Sequence, residues 1–420
     1  MQTINPLRQF DRHSWAAHAL GFGFLLTLSS SVGQTYFISL FAAPLRTEFG
    51  LSHGAFGGLY TLATTASALM LVWLGKTADR FRPTPLGALT LTALAGCALL
   101  LATADSVLWL GIALFGLRLC GQGMLSHLAM TLMARWFSAQ RGRALGLIFL
   151  GYPTGEALLP MLVAVLLGLF AWHQIWVGIA LVLLLVPLPL LLGLGHAMRR
   201  QGALDSRPAC TAAQRAPDTS WTRAEVVRDV RFYALLPGLM ATPFVITGVL
   251  FHQVDLVQAK AWTLANFAAC YPLYAACATA VALACGGLID RYGAIRLLPY
   301  YLLPLALGLL LLSIGTSLST AAVFMALMGA TSGGATLLFG AIWAELYGTA
   351  HLGAIRALAT ALQVLATALA PAILGWLIDS GLELNALLEY MSLFLCICTL
   401  GLVLLLPSLL QHRARTLPTS

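Results

Sequence analysis

The sequence predicts an all-α membrane protein with twelve transmembrane helices in two pseudo-symmetric six-helix bundles. The first observation is composition: 60% of the 420 residues are hydrophobic and 9% are charged, and the mean hydropathy is +0.87, whereas soluble domains carry about 25% charged residues. The second is that apolar stretches long enough to cross a bilayer follow one another along the chain. The third is that a charged segment around Asp79 recurs around Asp290, half a chain later. A repeat at that distance indicates two similar halves.

Twelve stretches reach the roughly 20 mostly apolar residues that a spanning helix needs. Those of the first half are residues 15–43, 54–76, 84–104, 106–135, 143–170 and 172–196. Those of the second half are residues 231–254, 262–288, 294–315, 319–345, 353–378 and 386–410. The segment between them is polar and carries six arginines. We therefore expect an amino-terminal bundle at 1–196, a cytoplasmic linker at 197–230 and a carboxy-terminal bundle at 231–420.

The basic residues set the predicted orientation, because cytoplasmic loops of membrane proteins are rich in lysine and arginine. With both termini inside, 20 of the 23 Lys and Arg residues lie on the cytoplasmic side, Arg46 and Lys260 lie outside, and Arg118 lies within the membrane. We expect a multi-pass protein of the cell's inner (plasma) membrane with both termini cytoplasmic. The net charge of +8 does not indicate nucleic acid, because the basic residues are spread over short connecting segments rather than gathered on one face.

The repeated charged segment lies between the second and third helices of each half. In each copy an Asp follows a Gly by four residues and is itself followed by Arg. The positions are Gly75, Asp79 and Arg80 in the first copy and Gly286, Asp290 and Arg291 in the second. A spacing of four places Gly and Asp on one helix face, so that the Gly allows another helix to approach closely. The pattern G-x-x-x-D-R-x-G resembles the signature loop of the major facilitator superfamily of secondary transporters, except that Arg82 replaces the final Gly of the first copy.

This resemblance covers nearly the whole chain apart from the tails and the middle loop. It implies a transporter, not an enzyme, that moves a small solute by alternating access and couples it to protons. It also implies that the signature residues act in gating, and Arg356 at the inner start of helix eleven is a suitable partner for Asp79. The segment Arg135-Trp136-Phe137, followed by Arg141-Gly142-Arg143, resembles the monocarboxylate and oxalate/formate branch.

Two charged residues lie deep in predicted spans, where charge is costly and usually marks a pathway. Arg118 is twelve residues into helix four from its outer end at Ser106, and Glu156 is fourteen residues from the outer end of helix five at Phe170. At 1.5 Å per residue both lie roughly 20 Å below that surface, so we expect an Arg118–Glu156 pair. In one interpretation the pair only fixes helix packing. In the other, Arg118 and Gln122 bind an anionic or zwitterionic solute, while Glu156 takes up a proton.

Further polar and aromatic residues are candidates for the same site. In helix one Ser30 and Gln34 share a face, and helix seven offers Phe244 and Thr247. No Asp, Glu, Lys or Arg lies at mid-depth in the second half, which departs from the basic groups that oxalate/formate-type carriers have there. His252 lies near the outer end of helix seven, where a single His is typically a capping or interfacial group.

The expected partners are a small-molecule solute, protons and membrane lipid, with no nucleic acid, no cofactor and no metal, and a monomer is expected. The eight cysteines form no C-x-x-C pair and fit small buried residues. A drug or metabolite exporter of the same fold is an alternative. A copper importer is another, because one small bacterial branch of the superfamily uses Met-x-x-x-Met and His-x-x-x-Met pairs on helices seven and eight. Here Phe244 follows Met240 at that spacing, and helix eight has no such pair. The lack of a P-loop disfavours a primary pump, and the lack of a Ser-His-Asp, paired-carboxylate or H-E-x-x-H constellation at a membrane surface disfavours a sensor or enzyme.

Overall fold

The computed structural model describes residues 6–137, 141–200, 220–349 and 351–416. Within these ranges all regular secondary structure is helical, and no strand is present. Twelve helical stretches are long and apolar enough to cross a membrane, which confirms the predicted count. Spans 1 to 6 are Ser14–Gly33, His53–Leu74, Pro83–Ala102, Val107–Trp136, Gly142–Leu167 and Trp172–Arg200. Spans 7 to 12 are Val230–Phe251, Leu264–Tyr292, Ala294–Ile314, Leu318–Tyr347, Leu352–Asp379 and Leu384–Ala414.

The first span departs most from its predicted bounds. A continuous helix over 15–43 was expected, but the regular helix Pro6–Ser29 gives way to a 3-10 turn at Ser30–Gly33. Gln34 is extended, with φ −84° and ψ 152°, and helix resumes at Thr35–Ile38. Serine hydroxyls compete for helix carbonyls, and the Ser30 hydroxyl donates to the Thr27 carbonyl at 2.6 Å. The break therefore coincides with a run of small polar residues.

The described chain separates into two compact units. The first contains the described residues up to Gly50 and from Leu62 to Arg200, and the second contains Leu51–Thr61 and the described residues from Ser220 onward. Span 2 thus begins in the second unit and ends in the first. The predicted domain bounds stay a prediction, because most of the linker, residues 201–219, lies outside the described residues.

Glycines allow close helix contacts within the second unit. In span 10, added Cβ atoms at Gly329 and Gly333 would meet the Tyr274 and Ala278 carbonyls of span 8. At the start of span 2, a Cβ at Gly57 would lie 2.6 Å from the carbonyl carbon of Pro371 in span 11. Small residues at such contacts let backbones approach closely in lipid, and they bring the start of span 2 against the end of span 11.

Lys260 fastens the connection between spans 7 and 8 to the end of span 9. Its ammonium donates to the carbonyls of Ser313 and Gly315, both at 2.9 Å. The indole of Trp262 donates to the Thr316 carbonyl at 2.7 Å. Burial lowers the pKa of the Lys260 ammonium. This basic residue on the predicted outer side therefore has a structural role at a helix carboxyl end, where carbonyls lack helical partners.

Candidate functional site

Arg118 lies at the beginning of a π-helical segment, Arg118–Leu125, within span 4. Its side chain is 2% exposed. Its Nη1 donates to the Gly33 carbonyl at 3.0 Å and to the Thr35 hydroxyl at 3.3 Å. Segments of π-helix are frequent at functional sites, and interrupted helices line solute sites in transporters. Two interruptions thus meet at one buried cation.

The break in span 1 and the π-segment of span 4 are in backbone contact. An added Cβ at Gly33 would meet the Leu117 carbonyl and would lie 2.7 Å from Gly121 Cα and 2.8 Å from the Gln122 nitrogen. The reciprocal Cβ at Gly121 would lie 2.6 Å from Gly33 Cα. Two facing glycines therefore allow the guanidinium of Arg118 to reach a main-chain carbonyl of span 1.

Three of the predicted solute-binding residues lie at this crossing with Arg118. Ser30 is buried beside the break, and Gln34 is the extended residue within it. Gln122 belongs to the π-segment, one turn from Arg118, and is half-buried like Gln34. The structure thus brings a cation, two amides and a hydroxyl to one crossing within the first unit.

Glu156 comes directly after Gly155, which lies on the face of span 5 that packs against span 1. An added Cβ at Gly151 would lie 2.8 Å from the Leu28 nitrogen, and one at Gly155 would lie 2.9 Å from Ser31 Cβ. Glu156 itself is half-buried. Because successive residues are rotated by about 100° around a helix axis, Glu156 does not lie on the face that Gly155 turns toward span 1.

The predicted Arg118–Glu156 ion pair stays a prediction. The two residues lie on consecutive spans of the first unit. Depth does not determine which way a side chain points. The Gly33 carbonyl and the Thr35 hydroxyl that the guanidinium contacts both lie at the broken end of span 1.

Phe244 and Thr247 belong to span 7 in the second unit, and both are half-buried. Their assignment to the solute site stays a prediction. His252 is the residue between the helices Val230–Phe251 and Gln253–Ala259, which agrees with the predicted terminal position. It also belongs to a partly buried cluster that the sequence analysis missed, formed with His53, Asp255 and Asp379. The sequence could have indicated this cluster, because its residues fall at the predicted outer ends of helices two, seven and eleven.

The first signature segment is held by two side chains of span 4. His127 Nε2 lies 3.1 Å from the Gly75 carbonyl oxygen, and Arg135 Nη1 donates to the Ala78 carbonyl at 3.0 Å. A Cβ at Gly75 would lie 3.2 Å from that imidazole, so the expected close approach is present here. Arg80 is exposed. The gating roles of Asp79 and Arg80, and the partnership of Asp79 with Arg356, stay predictions.

The second signature segment is held by an anion from span 10. Glu345 accepts the backbone N–H groups of Ala294 at 2.6 Å and Ile295 at 3.2 Å, directly after the segment. Arg413 lies 3.7 Å from the same carboxylate. Arg135 and Glu345 occupy corresponding places in the two halves. Each holds the signature segment of its own half, but the residue is basic in the first half and acidic in the second.

The expected close helix approach at Gly286 is not observed. The nearest atom to an added Cβ there is Leu337 Cδ1, at 3.9 Å, which is ordinary contact. Asp290 is exposed, and the Arg291 guanidinium lies 5.2 Å from the ring centre of Tyr292. The turn that follows uses Gly293 at φ +83°, a backbone conformation that favours glycine.

We expect replacement of Glu345 by alanine to lower the free energy of unfolding of the second unit by about 1–3 kcal/mol, because two backbone N–H groups lose their acceptor. Denaturant or thermal unfolding in detergent measures the change. Glu389→Ala, at an exposed acidic residue of span 12, is the matched control and should change stability little. Equal stability of the two variants would show that Glu345 does not hold the segment.

A protein-family model described as "Major Facilitator Superfamily" matches residues 23–300 of this chain. The chain therefore belongs to the Major Facilitator Superfamily. Because this is a family of membrane transporters, the predictions of its fold and of a multi-pass transporter rather than an enzyme are confirmed. The resemblance to the monocarboxylate and oxalate/formate branch stays a prediction.

One relative from Thermoproteus tenax, described as an uncharacterized 38 kDa protein in the 23S RNA operon, is 31% identical over 194 residues. The match covers 45% of this chain and 51% of that protein, so the chain spans about half the length of this curated relative.

Two solved structures share the fold over nearly the whole chain. One is a bacterial homologue of the human lysosomal transporter Spinster in an inward-facing, unoccupied conformation, with a TM-score of 0.71, 15% identity and coverage of 95% of this chain and 98% of that one. The nucleoside transporter NupG has a TM-score of 0.68 and 12% identity, with coverage of 95% and 98%. At these identities the similarity supports the fold and not a solute.

Proposed function

We propose that this chain is a secondary transporter that moves a small anionic or zwitterionic organic solute by alternating access, with coupling to protons. The observation that carries the proposal is the buried Arg118 guanidinium at the junction of the broken span 1 and the π-segment of span 4. A cation in a medium of low dielectric attracts a carboxylate far more strongly than it does in water. An arginine also presents several donors in a planar arrangement that matches a carboxylate.

Gln34 and Gln122 add hydrogen-bonding groups around this cation. An amide side chain offers both donors and an acceptor, which suits the hydroxyl or ammonium group of an organic acid or amino acid. Ser30 is a less versatile member, because its hydroxyl already donates to Thr27. The set therefore favours a compact, polar, negatively charged or zwitterionic solute over a large apolar drug.

We assign proton uptake to Glu156. Burying a charged carboxylate is costly unless it is compensated, and Glu156 lies in a span beside Gly155, where span 5 packs on span 1. Proton binding there changes the charge near the helix that carries the Arg118 partner Gly33. We also assign the protein to the plasma membrane, as a monomer with cytoplasmic termini, from the distribution of basic residues.

Flux into proteoliposomes with an imposed pH gradient tests the proposal. A panel of monocarboxylates, amino acids, neutral sugars and cationic drugs separates the solute classes. We expect accumulation of an anionic or zwitterionic member that collapses when a protonophore removes the gradient. Accumulation of cationic drugs instead would support the exporter of the same fold.

The Glu156→Gln variant tests coupling separately from solute binding. It should lose acceleration by the pH gradient and keep solute exchange between two loaded compartments, because glutamine cannot release a proton. Glu48→Gln is the matched control, since Glu48 is 41% exposed and contacts His173 away from the Arg118 site. Retention of full gradient dependence by Glu156→Gln would remove this residue from the coupling mechanism.

A further inference from the structure

Two histidines and two aspartates form a continuous chain of contacts in the second unit, here named the His–Asp cluster. His53 Nδ1 lies 3.1 Å from Asp379 Oδ1, and His53 Nε2 lies 3.2 Å from Asp255 Oδ1. His252 Nδ1 lies 3.3 Å from Asp255 Oδ2, and His252 Nε2 lies 3.3 Å from the Pro371 carbonyl oxygen. The cluster joins the start of span 2, the segment after span 7 and the end of span 11.

Asp379 also completes the amino end of the helix that forms span 2. Its carboxylate accepts the backbone N–H of His53 at 3.0 Å and that of Gly54 at 2.7 Å. The Ser52 hydroxyl accepts the N–H of Ala55 at 3.1 Å. These are N–H groups that lack partners within a helix, and a carboxylate is favoured at a helix amino end. Asp379 is therefore anchored to span 2 as an anion, whatever the charge of the imidazole.

Each imidazole of the cluster faces acceptors with both of its ring nitrogens. A neutral imidazole carries one N–H, so its other nitrogen presents a lone pair. In the neutral form, His53 would direct that lone pair at a carboxylate oxygen of Asp255 or Asp379, and His252 would direct its own at Asp255 or the Pro371 carbonyl. Only the protonated ring donates at both positions. The geometry therefore matches two imidazolium cations.

The two imidazoles share one carboxylate, that of Asp255. The two rings contact Asp255, Asp379 and the Pro371 carbonyl. With both rings protonated, each imidazolium faces a carboxylate, and Asp255 lies between His53 and His252, whose ring centres are 6.3 Å apart. Without those protons, two carboxylates remain close to unprotonated ring nitrogens.

The cluster extends from a buried group to accessible ones. The side chain of His252 is 6% exposed and that of Asp255 is 13% exposed, whereas His53 and Asp379 are each 27% exposed. A proton can thus reach His53 from the aqueous surface on the side that the charge distribution predicts to be outside. Histidine changes charge between about pH 5 and pH 8.

We propose that the His–Asp cluster is a proton-binding latch that holds the start of span 2 to the end of span 11 and to the segment after span 7 when both imidazoles are protonated. Loss of these protons loosens the three segments from one another. The latch is a site distinct from Arg118 and Glu156, and it does not depend on which solute is carried.

Hydrogen–deuterium exchange of the full chain in nanodiscs, at about pH 6 and about pH 8 and corrected for intrinsic exchange, tests the latch. Each linked proton changes an opening equilibrium by up to about tenfold per pH unit. We expect peptides covering 51–61, 250–260 and 374–382 to be at least about tenfold more protected at the lower pH, while peptides of span 5 change little.

His53→Gln and Asp255→Asn should each abolish the pH difference in these peptides. His173→Gln is the matched control, because His173 contacts Glu48 through one nitrogen at 3.0 Å in the first unit, and it should keep the difference. His252→Gln provides a second imidazole variant in case His53→Gln does not fold. A wild-type protein with equal protection at both pH values overturns the latch. So does a pH difference that persists in the variants, or a general loss of protection throughout the second unit in all three.

Discussion

Replacement of Arg118 by alanine is expected to abolish transport of the solute that the flux panel identifies. The guanidinium is the charged group at the crossing of the broken span 1 with the π-segment of span 4. Truncating one partner of a buried, hydrogen-bonded charge pair costs about 2–5 kcal/mol. That range corresponds to a loss of roughly 30-fold to several thousand-fold in solute binding. Initial uptake rates and solute binding to purified protein measure the effect.

Arg118→Lys separates charge from geometry. Lysine keeps the positive charge but is a single point donor on a flexible stem, so it should retain part of the binding and little of the transport. Arg199→Ala removes an exposed arginine at the end of span 6 and should leave uptake unchanged. Because Arg118→Ala also leaves the Gly33 carbonyl without this donor, thermal unfolding must show that the variant is folded. Normal uptake by folded Arg118→Ala would exclude this site.

Replacement of Gly33 by alanine is expected to destabilise the first unit and to stop transport with it. The added methyl group would meet three backbone positions of span 4, at Leu117, Gly121 and Gln122. Backbone atoms cannot rotate away as a flexible side chain can, so the two helices must separate. Overpacking of a close-packed site costs about 1–3 kcal/mol, and here the separation also moves the carbonyl that Arg118 contacts. The apparent Tm in detergent and solute binding measure the two consequences.

Gly96→Ala is the control for the Gly33 substitution. Gly96 lies in span 3 of the same unit, is exposed, and has no atom within 4 Å of an added Cβ. Alanine there should be neutral or slightly stabilising, because glycine within a helix costs about 0.5–1 kcal/mol relative to alanine. If the two alanine variants unfolded at the same temperature, the close contact between spans 1 and 4 would not exist in the membrane protein.

The two halves divide their charged residues unequally. The first unit has Arg118 and Glu156 at depth, as the sequence predicted, whereas the described spans of the second unit place their ionic contacts near helix ends, as at Glu345 and the His–Asp cluster. This division favours a solute site anchored mainly on the first unit. It also favours proton-sensitive contacts at the predicted outer end of the second unit.

The sequence by itself determined the membrane class, the twelve spans and the internal repeat. These depend on local properties, since lipid requires each spanning segment to satisfy its own backbone and to be apolar over about 20 residues. The signature segments at Asp79 and Asp290 and the depth of Arg118 are local in the same sense. A glycine or serine run such as Ser29–Gln34 indicated polarity in span 1 but not the place where its helix breaks.

Only the tertiary structure decided which groups meet. Arg118 contacts the Gly33 carbonyl because rotation of each helix about its axis, as well as depth, directs a side chain. The His–Asp cluster joins His53 to Asp255 and Asp379, which lie 202 and 326 residues further along the chain. No periodicity or spacing relates such positions. Their contact follows from glycines that let the start of span 2 pack closely on span 11, because close backbone packing in lipid depends on both surfaces at once.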